Sequence, residues 1–246
     1  MPPLRPWPTD PAERQAYADR VFGSIAGRYD LFTRLLSFGQ DGRWKRSAAR
    51  AALARGHAGR LLDLATGTGA LPEALRRLGY AGTIVGLERS VPMAARGSRR
   101  LARTRVLLVR GDLNRLPLAA GSFDVITVGY GLRYFSQLRP SLRTLRDLLR
   151  PGGVLVSLDF GLPEGAAYRR VCLGYLLAAG TAWGVLLHGR PGTYHHIVES
   201  LRAYPGQGPV AAELGEAGFV DVTRRDLLGG IAALLVGRKP AVAPRS

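Results

Sequence analysis

A glycine-rich turn and a carboxylate beyond it are the residues of this chain best suited to holding a ligand. The turn, Thr66–Gly69, ends an apolar run that contains Asp63. Its glycines, Gly67 and Gly69, let the backbone approach a ligand closely. Glu88 closes the next apolar run, 19 residues after Gly69, where a carboxylate can accept hydrogen bonds from both hydroxyls of a ribose. The pattern predicts a site for a cofactor that contains a nucleoside.

Two kinds of cofactor fit such a site, a dinucleotide and S-adenosylmethionine (SAM). The dinucleotide fingerprint needs a third glycine three residues after the second, and Pro72 occupies that position. Asp112, which follows a third apolar run, can accept a hydrogen bond from the amino group of an adenine. Because Pro72 weakens the dinucleotide interpretation and Asp112 supports the other, the residues favour SAM.

The elements that must position these residues alternate between short apolar runs and helical patterns. Runs that predict strands lie at 59–65, 83–87, 105–109, 123–128 and 154–160. Such alternation is typical of a parallel sheet with helices on both faces. Two further runs, 220–227 and 231–237, flank a Leu-Gly-Gly hairpin signal. We therefore predict an α/β fold with a doubly wound, Rossmann-like seven-stranded sheet that ends in an antiparallel hairpin strand.

The chain is predicted to be one domain with short extensions. Residues 1–13, rich in proline and without the apolar run of an export signal, are expected to be a disordered arm. The predicted parts are a single domain over 14–240, which includes a helical cap over 14–58 and a helical lid insertion over 162–207, and a tail over 241–246. Within the cap, one helical pattern spans 14–36.

Composition narrows the function classes. The chain has 35 basic and 18 acidic residues, a net charge of +17, which leaves nucleic acid, an anionic membrane and acidic substrates open as partners. Its single cysteine, Cys172, excludes an internal disulfide and a cysteine-based zinc site. No metal site is predicted, and the cytosol is the expected compartment.

Longer motifs resemble those of the menaquinone and ubiquinone biosynthesis C-methyltransferases, the UbiE family of class I SAM-dependent methyltransferases. The stretches with this resemblance are 21–46, 61–71, 111–135, 149–160, 194–207 and 217–240. The resemblance implies an enzyme with SAM as its cofactor. It also implies transfer of the methyl group to a ring carbon of a prenylated quinol, with conversion of demethylmenaquinol to menaquinol as the expected reaction.

The same resemblance implies a set of site residues. Those expected at SAM are Tyr29 from the amino-terminal helix, Asp63, Thr66, Gly67 and Gly69 around the methionine part, Glu88 at the ribose, Asp112 and Leu113 at the adenine, and Gly129 beside the sulfonium. Arg133 resembles the arginine that the family uses near its quinol. Because arginine stays protonated, it is expected to stabilise a phenolate or to orient a water. His195, or its neighbour His196, is a candidate base, and Asp159 is a candidate for orienting the acceptor.

Three positions depart from the family pattern. Ala70 stands where the family usually has an acidic residue, Thr33 where it has asparagine, and Tyr134 where it has asparagine after the Gly-Leu-Arg motif. Tyr134 is the departure nearest the expected chemistry and is predicted to contact the substrate. It motivates an alternative, a SAM-dependent methyltransferase that acts on another lipid or aromatic molecule.

An uncharged stretch of 19 residues lies between Arg170 and Arg190. Its length is close to the roughly 20 residues of a membrane span, but it lies between strands of one fold. We predict a helical lid in which Leu176 and Trp183 contact the prenyl tail and which dips into the membrane interface. A membrane span and a plain core helix are the alternatives.

The net positive charge of the chain is interpreted as a further indication of membrane contact. Its densest part, 89–115, has eight arginines and one acidic residue, Asp112. Near an anionic leaflet such residues contribute about 1 kcal/mol each, so contact with an anionic membrane surface is predicted, at the inner face of the cell membrane. An RNA-binding protein or RNA methyltransferase is a weaker alternative, since the segment Val128–Arg133 lacks the Asn/Asp-Pro-Pro-aromatic motif of base methyltransferases. No nucleic-acid partner is expected, and a homodimer is left open.

Overall fold

Seven strands form one sheet in the computed structural model, which describes residues 7–54 and 56–241. The strands are β1 Arg60–Leu64, β2 Thr83–Glu88, β3 Val106–Arg110, β4 Phe123–Gly129, β5 Leu149–Phe160, β6 Val220–Leu227 and β7 Ala232–Arg238. Their order is β3-β2-β1-β4-β5-β7-β6. Strands β1 to β5 pair in parallel, and β7 runs antiparallel to both β5 and β6. The predicted fold class is confirmed.

Helices cover both faces of this sheet. They are α1 Pro11–Ile25, α2 Tyr29–Leu36, α3 Asp41–Leu53, α4 Ala70–Arg77, α5 Val91–Leu101, α6 Leu138–Leu148, α7 Ala166–His188, α8 His196–Ala203 and α9 Gln207–Glu216. Successive side chains of a strand point to opposite faces, so Leu61 packs into the core beneath α3 and α4, whereas Leu62 and Leu64 pack into the core beneath α6 and α9.

The amino-terminal part differs from the sequence prediction in two ways. Helix α1 begins at Pro11, inside the expected arm, and the Asp10 side chain caps it by accepting from the backbone N–H of Glu13 at 2.9 Å. Trp7 packs its ring edge-on against Tyr17. The expected arm is therefore too long, because local capping and a ring contact order its last residues. Residues 1–6 and 242–246, within the predicted arm and tail, lie outside the described residues.

The single helix predicted over 14–36 is two helices. Helix α1 ends at Ile25 and α2 starts at Tyr29, with Gly27 in the short connection. Glycine is a poor helix former, and the break lets α2 take its own direction. Strand β5 also starts earlier than predicted, at Leu149, because an irregularity in its pairing with β4 accommodates the Pro-Gly-Gly sequence.

Candidate active site

A cavity that is partly open to solvent lies at the carboxyl ends of the parallel strands. Helix α1 covers it. The lining residues from the cap are Gln15, Ala18, Asp19, Phe22 and Tyr29, and those from the sheet side are Ala65, Gly67, Leu87, Glu88, Arg89, Ser90, Met93, Gly111, Leu113, Gly129, Tyr130, Gly131 and Tyr134. This is where open α/β sheets bind their ligands.

The Glu88 carboxylate is held rigidly at the edge of this cavity. Its Oε2 accepts from the backbone N–H of Gly67 at 2.7 Å, and its Oε1 accepts from that of Ser90 at 2.7 Å. Burial raises the pKa of Glu88, and these backbone hydrogen bonds oppose the rise. Each carboxylate oxygen keeps a second lone pair, so Glu88 can accept from two neighbouring hydroxyl groups of a ligand.

The glycine loop is built on left-handed backbone conformations. Gly67 has φ +58° and Gly69 has φ +80°. A Cβ atom on Gly69 would lie 2.7 Å from Cδ1 of Leu101, which packs under the loop. The position therefore needs glycine for two reasons, its backbone conformation and the close approach of α5.

Gly69→Ala is expected to destabilise the protein more than the same change at Gly121. Gly121 has φ +65° but no atom within 4 Å of an added Cβ, so it isolates the backbone strain of about 1–2 kcal/mol. At Gly69 the clash adds about 1–3 kcal/mol of overpacking. Chemical denaturation of both variants measures the difference, and equal losses of unfolding free energy would contradict the packing argument.

Some of the residues predicted to contact the cofactor line the first cavity, and others do not. Tyr29, Gly67, Glu88, Leu113 and Gly129 line the cavity. Four others are not among the lining residues, namely Asp63, Thr66, Gly69 and Asp112.

Asp63 and Asp112 are occupied by other partners. Asp63 is buried beneath the loop, where its Oδ1 accepts from Oγ1 of Thr127. Burial raises the pKa of Asp63 to about 7. Asp112 lines a neighbouring cleft and pairs with Arg89. Both carboxylates therefore contact residues near the cavity without lining it themselves.

A second, smaller cavity adjoins the first. It lies between α2, the end of β4 and α8. Its lining residues are Phe22, Ile25, Tyr29, Phe32, Thr33, Leu36, Tyr130, Arg133, Tyr134, Phe160, His196 and Ile197. Four of these also line the first cavity, namely Phe22, Tyr29, Tyr130 and Tyr134. The two cavities therefore share a wall.

Arg133 and Asp159 form a buried ion pair at this second cavity. Nε of Arg133 lies 3.0 Å from Oδ1 of Asp159, which also accepts from the backbone N–H of Phe160 at 2.8 Å. Burial lowers the pKa of Arg133, but the charges of Asp159 and of the nearby tyrosines together outweigh burial, and the net pKa is raised. Among the described residues, neither Nε nor Nη1 of Arg133 has a hydrogen-bond partner. Since Nε faces the Asp159 carboxylate, Nη1 is left as a buried donor group without a hydrogen-bond partner among the described residues.

The two adjacent histidines have different surroundings. His195 is not among the residues that line either cavity, and its Nε2 lies 2.9 Å from Oγ1 of Thr181 in α7. His196 lines the second cavity, where burial, followed by the charge of Arg133, lowers its pKa to about 3. His196, and not the predicted His195, therefore lines the second cavity, and its lowered pKa favours the neutral ring.

Leu176 and Trp183, predicted to contact the substrate, are also outside both lining sets. Leu176 is buried in the hydrophobic core, and Trp183 packs against that core from α7. The predicted Tyr134, in contrast, lines both cavities and packs edge-on against Phe22.

Comparison with known proteins agrees with this geometry. Residues 11–239 match the model of the ubiE/COQ5 methyltransferase family. A demethylmenaquinone methyltransferase of Thermus thermophilus is 40% identical over 223 residues, covering 89% of this chain and 100% of that protein. One of Mycobacterium marinum is 38% identical over 220 residues, covering 89% and 92%. The chain belongs to the ubiE/COQ5 methyltransferase family.

Solved structures support the fold of this ubiE/COQ5 family member. A methyltransferase solved with the Haloferax volcanii Trm112 methyltransferase activator superposes with a TM-score of 0.63 at 18% identity, covering 89% of this chain and 97% of that one. A SAM-dependent methyltransferase from Aquifex aeolicus gives a TM-score of 0.54 at 16% identity, covering 78% and 88%. These likenesses concern the fold alone.

This ubiE/COQ5 family member is a SAM-dependent methyltransferase, as the sequence predicted. SAM supplies a methyl group that its sulfonium already makes electrophilic. The first cavity fits that cofactor, because a fixed carboxylate, Glu88, faces it between a glycine loop and the apolar side chains of Met93 and Leu113.

Two residues at the cavities of this family member were not predicted as site residues from the sequence. Arg89 bridges Asp19 of α1 and Asp112, and so ties the cap to the sheet. Tyr130 follows β4 with φ +58° and lines both cavities. Its position directly after Gly129 was the available signal, since residues at the carboxyl end of a central strand reach the ligand.

Proposed function

We propose that this methyltransferase transfers the methyl group of SAM to a ring carbon of demethylmenaquinol and so forms menaquinol. The observation on which this rests is the buried Arg133, which has hydrogen-bond donors without partners among the described residues and lies at an aromatic cavity beside the cofactor cavity. An aromatic ring with hydroxyl groups satisfies both features. The names of the relatives supply the identity of that ring.

In this proposal the first cavity holds SAM in one orientation. Glu88 accepts from the two ribose hydroxyls, because its carboxylate is already oriented by Gly67 and Ser90. Leu113 packs against the adenine. Tyr29 and Gly129, at the junction with the second cavity, lie beside the methionine part and the sulfonium.

The second cavity then holds the quinol ring. A phenolic hydroxyl has a pKa of about 10, and the ring carbon becomes strongly nucleophilic only when that proton leaves. The free donors of Arg133 stabilise the phenolate oxygen. The rings of Phe22, Tyr134 and Phe160 hold the quinol plane, and alignment of carbon, methyl and sulfur contributes several kcal/mol to the lowering of the barrier.

Turnover with purified protein tests the proposal. Demethylmenaquinone, reduced chemically and dispersed in detergent, is incubated with SAM labelled in its methyl group, and the product is reoxidised. A C-methylated product returns to a labelled menaquinone, whereas an O-methylated phenol cannot be oxidised to a quinone. Label in menaquinone supports the proposal. Its absence, or label in an ether or another lipid, overturns it.

We further propose that α7 meets a membrane surface with one side. Among the described residues, α7 is the one helix long and apolar enough to cross a membrane, with a mean hydropathy of 1.6. Its other side packs through Cys172, Leu176, Gly180 and Gly184. The exposed side, here termed the α7 apolar face, consists of Val171, Gly174, Ala178, Ala182, Val185 and Leu186.

The surroundings of the α7 apolar face support a lipid partner. Arg169 and Arg170 lie at its start and Arg190 beyond its end. The exposed Phe38 stacks on Tyr175 of α7 with ring centroids 5.1 Å apart and extends the apolar surface. A helix with an apolar side and flanking arginines binds at the interface of an anionic bilayer.

The arginine-rich stretch 89–115 contributes less free charge than the sequence suggested. Arg89 pairs with Asp19 and Asp112, and Arg100 pairs with Asp30 of α2. These arginines join the cap to the sheet, so the membrane proposal depends on α7 and on the arginines beside it. The protein would thus be cytoplasmic and peripheral at the inner membrane face.

Val171→Ser/Leu186→Ser is expected to weaken binding to vesicles that contain anionic lipid. These side chains are 66% and 70% exposed, and burial of one such side chain is worth up to about 1.5–3 kcal/mol, so co-sedimentation should fall by about tenfold or more. Leu107→Ser on edge strand β3, where Leu107 is 60% exposed, is the matched control. Equal binding by all three proteins, or no rise of binding with anionic lipid, would contradict the proposal.

A further inference from the structure

The proton of the acceptor hydroxyl needs a route out of the second cavity. Of the described residues with titratable groups that line the second cavity, Arg133 has a raised pKa and His196 a pKa lowered to about 3 by burial. Neither can hold the proton of a phenol at neutral pH, because one is already protonated and the other is too weak a base. A different acceptor of this proton is required.

Tyr130 connects that cavity to a carboxylate on the cap. Its side chain lines both cavities, and its ring stacks on Phe160 with centroids 4.8 Å apart. Its hydroxyl donates to Oδ1 of Asp41 at 2.8 Å. Burial, and then the charge of Asp41, raises the pKa of Tyr130 well above its usual value. The hydroxyl therefore keeps its proton at neutral pH and can pass it on while it receives another.

Asp41 stands between this buried tyrosine and solvent. Its side chain is 11% exposed, and its Oδ2 accepts from Nζ of Lys45, one turn further along α3, at 2.8 Å. Asp41 and Lys45 both line a third cleft, between α3 and α4, which is open to solvent at the exposed Arg46 and Arg77. The carboxylate thus contacts Tyr130 on the inside and the cleft on the outside.

We infer that Tyr130 and Asp41 form a proton relay that carries the acceptor's hydroxyl proton from the second cavity to the solvent-filled cleft between α3 and α4. This rests on the proposed function, because it assumes an acceptor with a hydroxyl group. Nothing in the sequence joins the two residues, which lie 89 positions apart.

With the relay, every proton and every bond of the methyl transfer is accounted for. The O–H bond of the acceptor breaks as its proton moves to Oη of Tyr130, whose own proton moves to Oδ1 of Asp41. The ring carbon then forms a bond to the methyl group while the methyl–sulfur bond breaks and sulfur keeps the electron pair. The ring carbon loses its hydrogen as a proton, and the oxygen regains one, which restores the aromatic hydroxyl. The net product is one proton, released from Asp41 to solvent.

Tyr130→Phe and Asp41→Asn test the relay together. Tyr130→Phe keeps the ring contact with Phe160 and leaves the Asp41–Lys45 ion pair intact, so it remains informative if Asp41→Asn folds poorly. Loss of general base assistance is expected to lower kcat for reduced demethylmenaquinone by about 10²–10⁴. SAM affinity should stay unchanged. Tyr80→Phe, which removes a buried tyrosine hydroxyl outside the lining of these cavities, should keep normal turnover.

A second readout does not depend on turnover. The naphthol isomer α-naphthol absorbs at longer wavelength when ionised, and we expect the unaltered protein with S-adenosylhomocysteine to bind it partly as naphtholate at neutral pH. In both relay variants the bound naphthol should ionise about tenfold or more slowly after mixing, followed by stopped-flow absorbance, because the relay sets the rate at which the proton leaves. If the protein ionises naphthol but does not methylate the quinol, the proposed function fails and the relay stands. Normal turnover of the quinol and a normal rate of naphtholate formation in Tyr130→Phe would overturn the relay.

Discussion

Replacement of Arg133 by methionine is expected to lower the rate of methyl transfer by about 10²–10³, the effect of removing one preorganised donor from a developing oxyanion. Arg133 is buried, its Nε faces Asp159, and its Nη1 has no hydrogen-bond partner among the described residues. The same change leaves the carboxylate of Asp159 buried without its cation, which should cost about 3–5 kcal/mol of unfolding free energy. Single-turnover rates and chemical denaturation measure the two effects separately.

The double variant Arg133→Met/Asp159→Asn distinguishes a chemical role from a structural one. It removes both charges of the buried pair, so most of the lost stability should return, while the rate of methyl transfer should stay low. If activity returns together with stability, Arg133 acts only through the fold. Arg133→Lys adds an intermediate case, because lysine keeps the charge but loses the planar arrangement of donors.

Glu88→Ala is expected to weaken SAM binding by about 10²-fold, since hydrogen bonds to a charged group are worth about 1.5–3 kcal/mol each. In the proposed SAM site, the variant loses the acceptor for both ribose hydroxyls. It also leaves the backbone N–H groups of Gly67 and Ser90 without the carboxylate that orients them. Calorimetric titration of the folded protein with SAM measures the change in Kd.

Glu213→Ala is the matched control for this change. This variant also loses a carboxylate with strong hydrogen bonds, because Glu213 accepts from Arg139 at 2.7 and 3.0 Å. Glu213 lies on α9 and is not among the residues that line the two cavities. The SAM affinity of Glu213→Ala should equal that of the unaltered protein. A Kd for Glu88→Ala within a few fold of this control would show that the ribose is bound elsewhere.

Much of the cofactor-binding part of the site could be predicted from the sequence, because the positions of its residues depend on strand order. In a parallel sheet the carboxyl ends of neighbouring strands meet at one edge. A glycine turn after β1 and a carboxylate at the end of β2 must therefore lie close together, as Gly67 and Glu88 do at 2.7 Å. The antiparallel β7 could likewise be predicted, since a Leu-Gly-Gly turn between two apolar runs allows only a hairpin-like reversal.

Other predicted residues failed to reach the cavities because side-chain direction is not encoded in spacing alone. His195 and His196 are neighbours in the chain, but neighbouring residues at a helix start point in different directions. Only the packing of α8 against α7 decides that His196 lines the cavity while His195 contacts Thr181. In the same way, Leu176 faces the core and Asp112 faces Arg89.

The sequence by itself thus determined the sheet, the cofactor loop and the presence of Arg133 after β4, because these depend on short motifs and on the few ways in which strands connect. The tertiary structure alone decided the break before Tyr29, the shape of the second cavity and the contact between Tyr130 and Asp41. Those features depend on how α2 and α3 pack over the sheet, and packing joins residues that no local pattern relates.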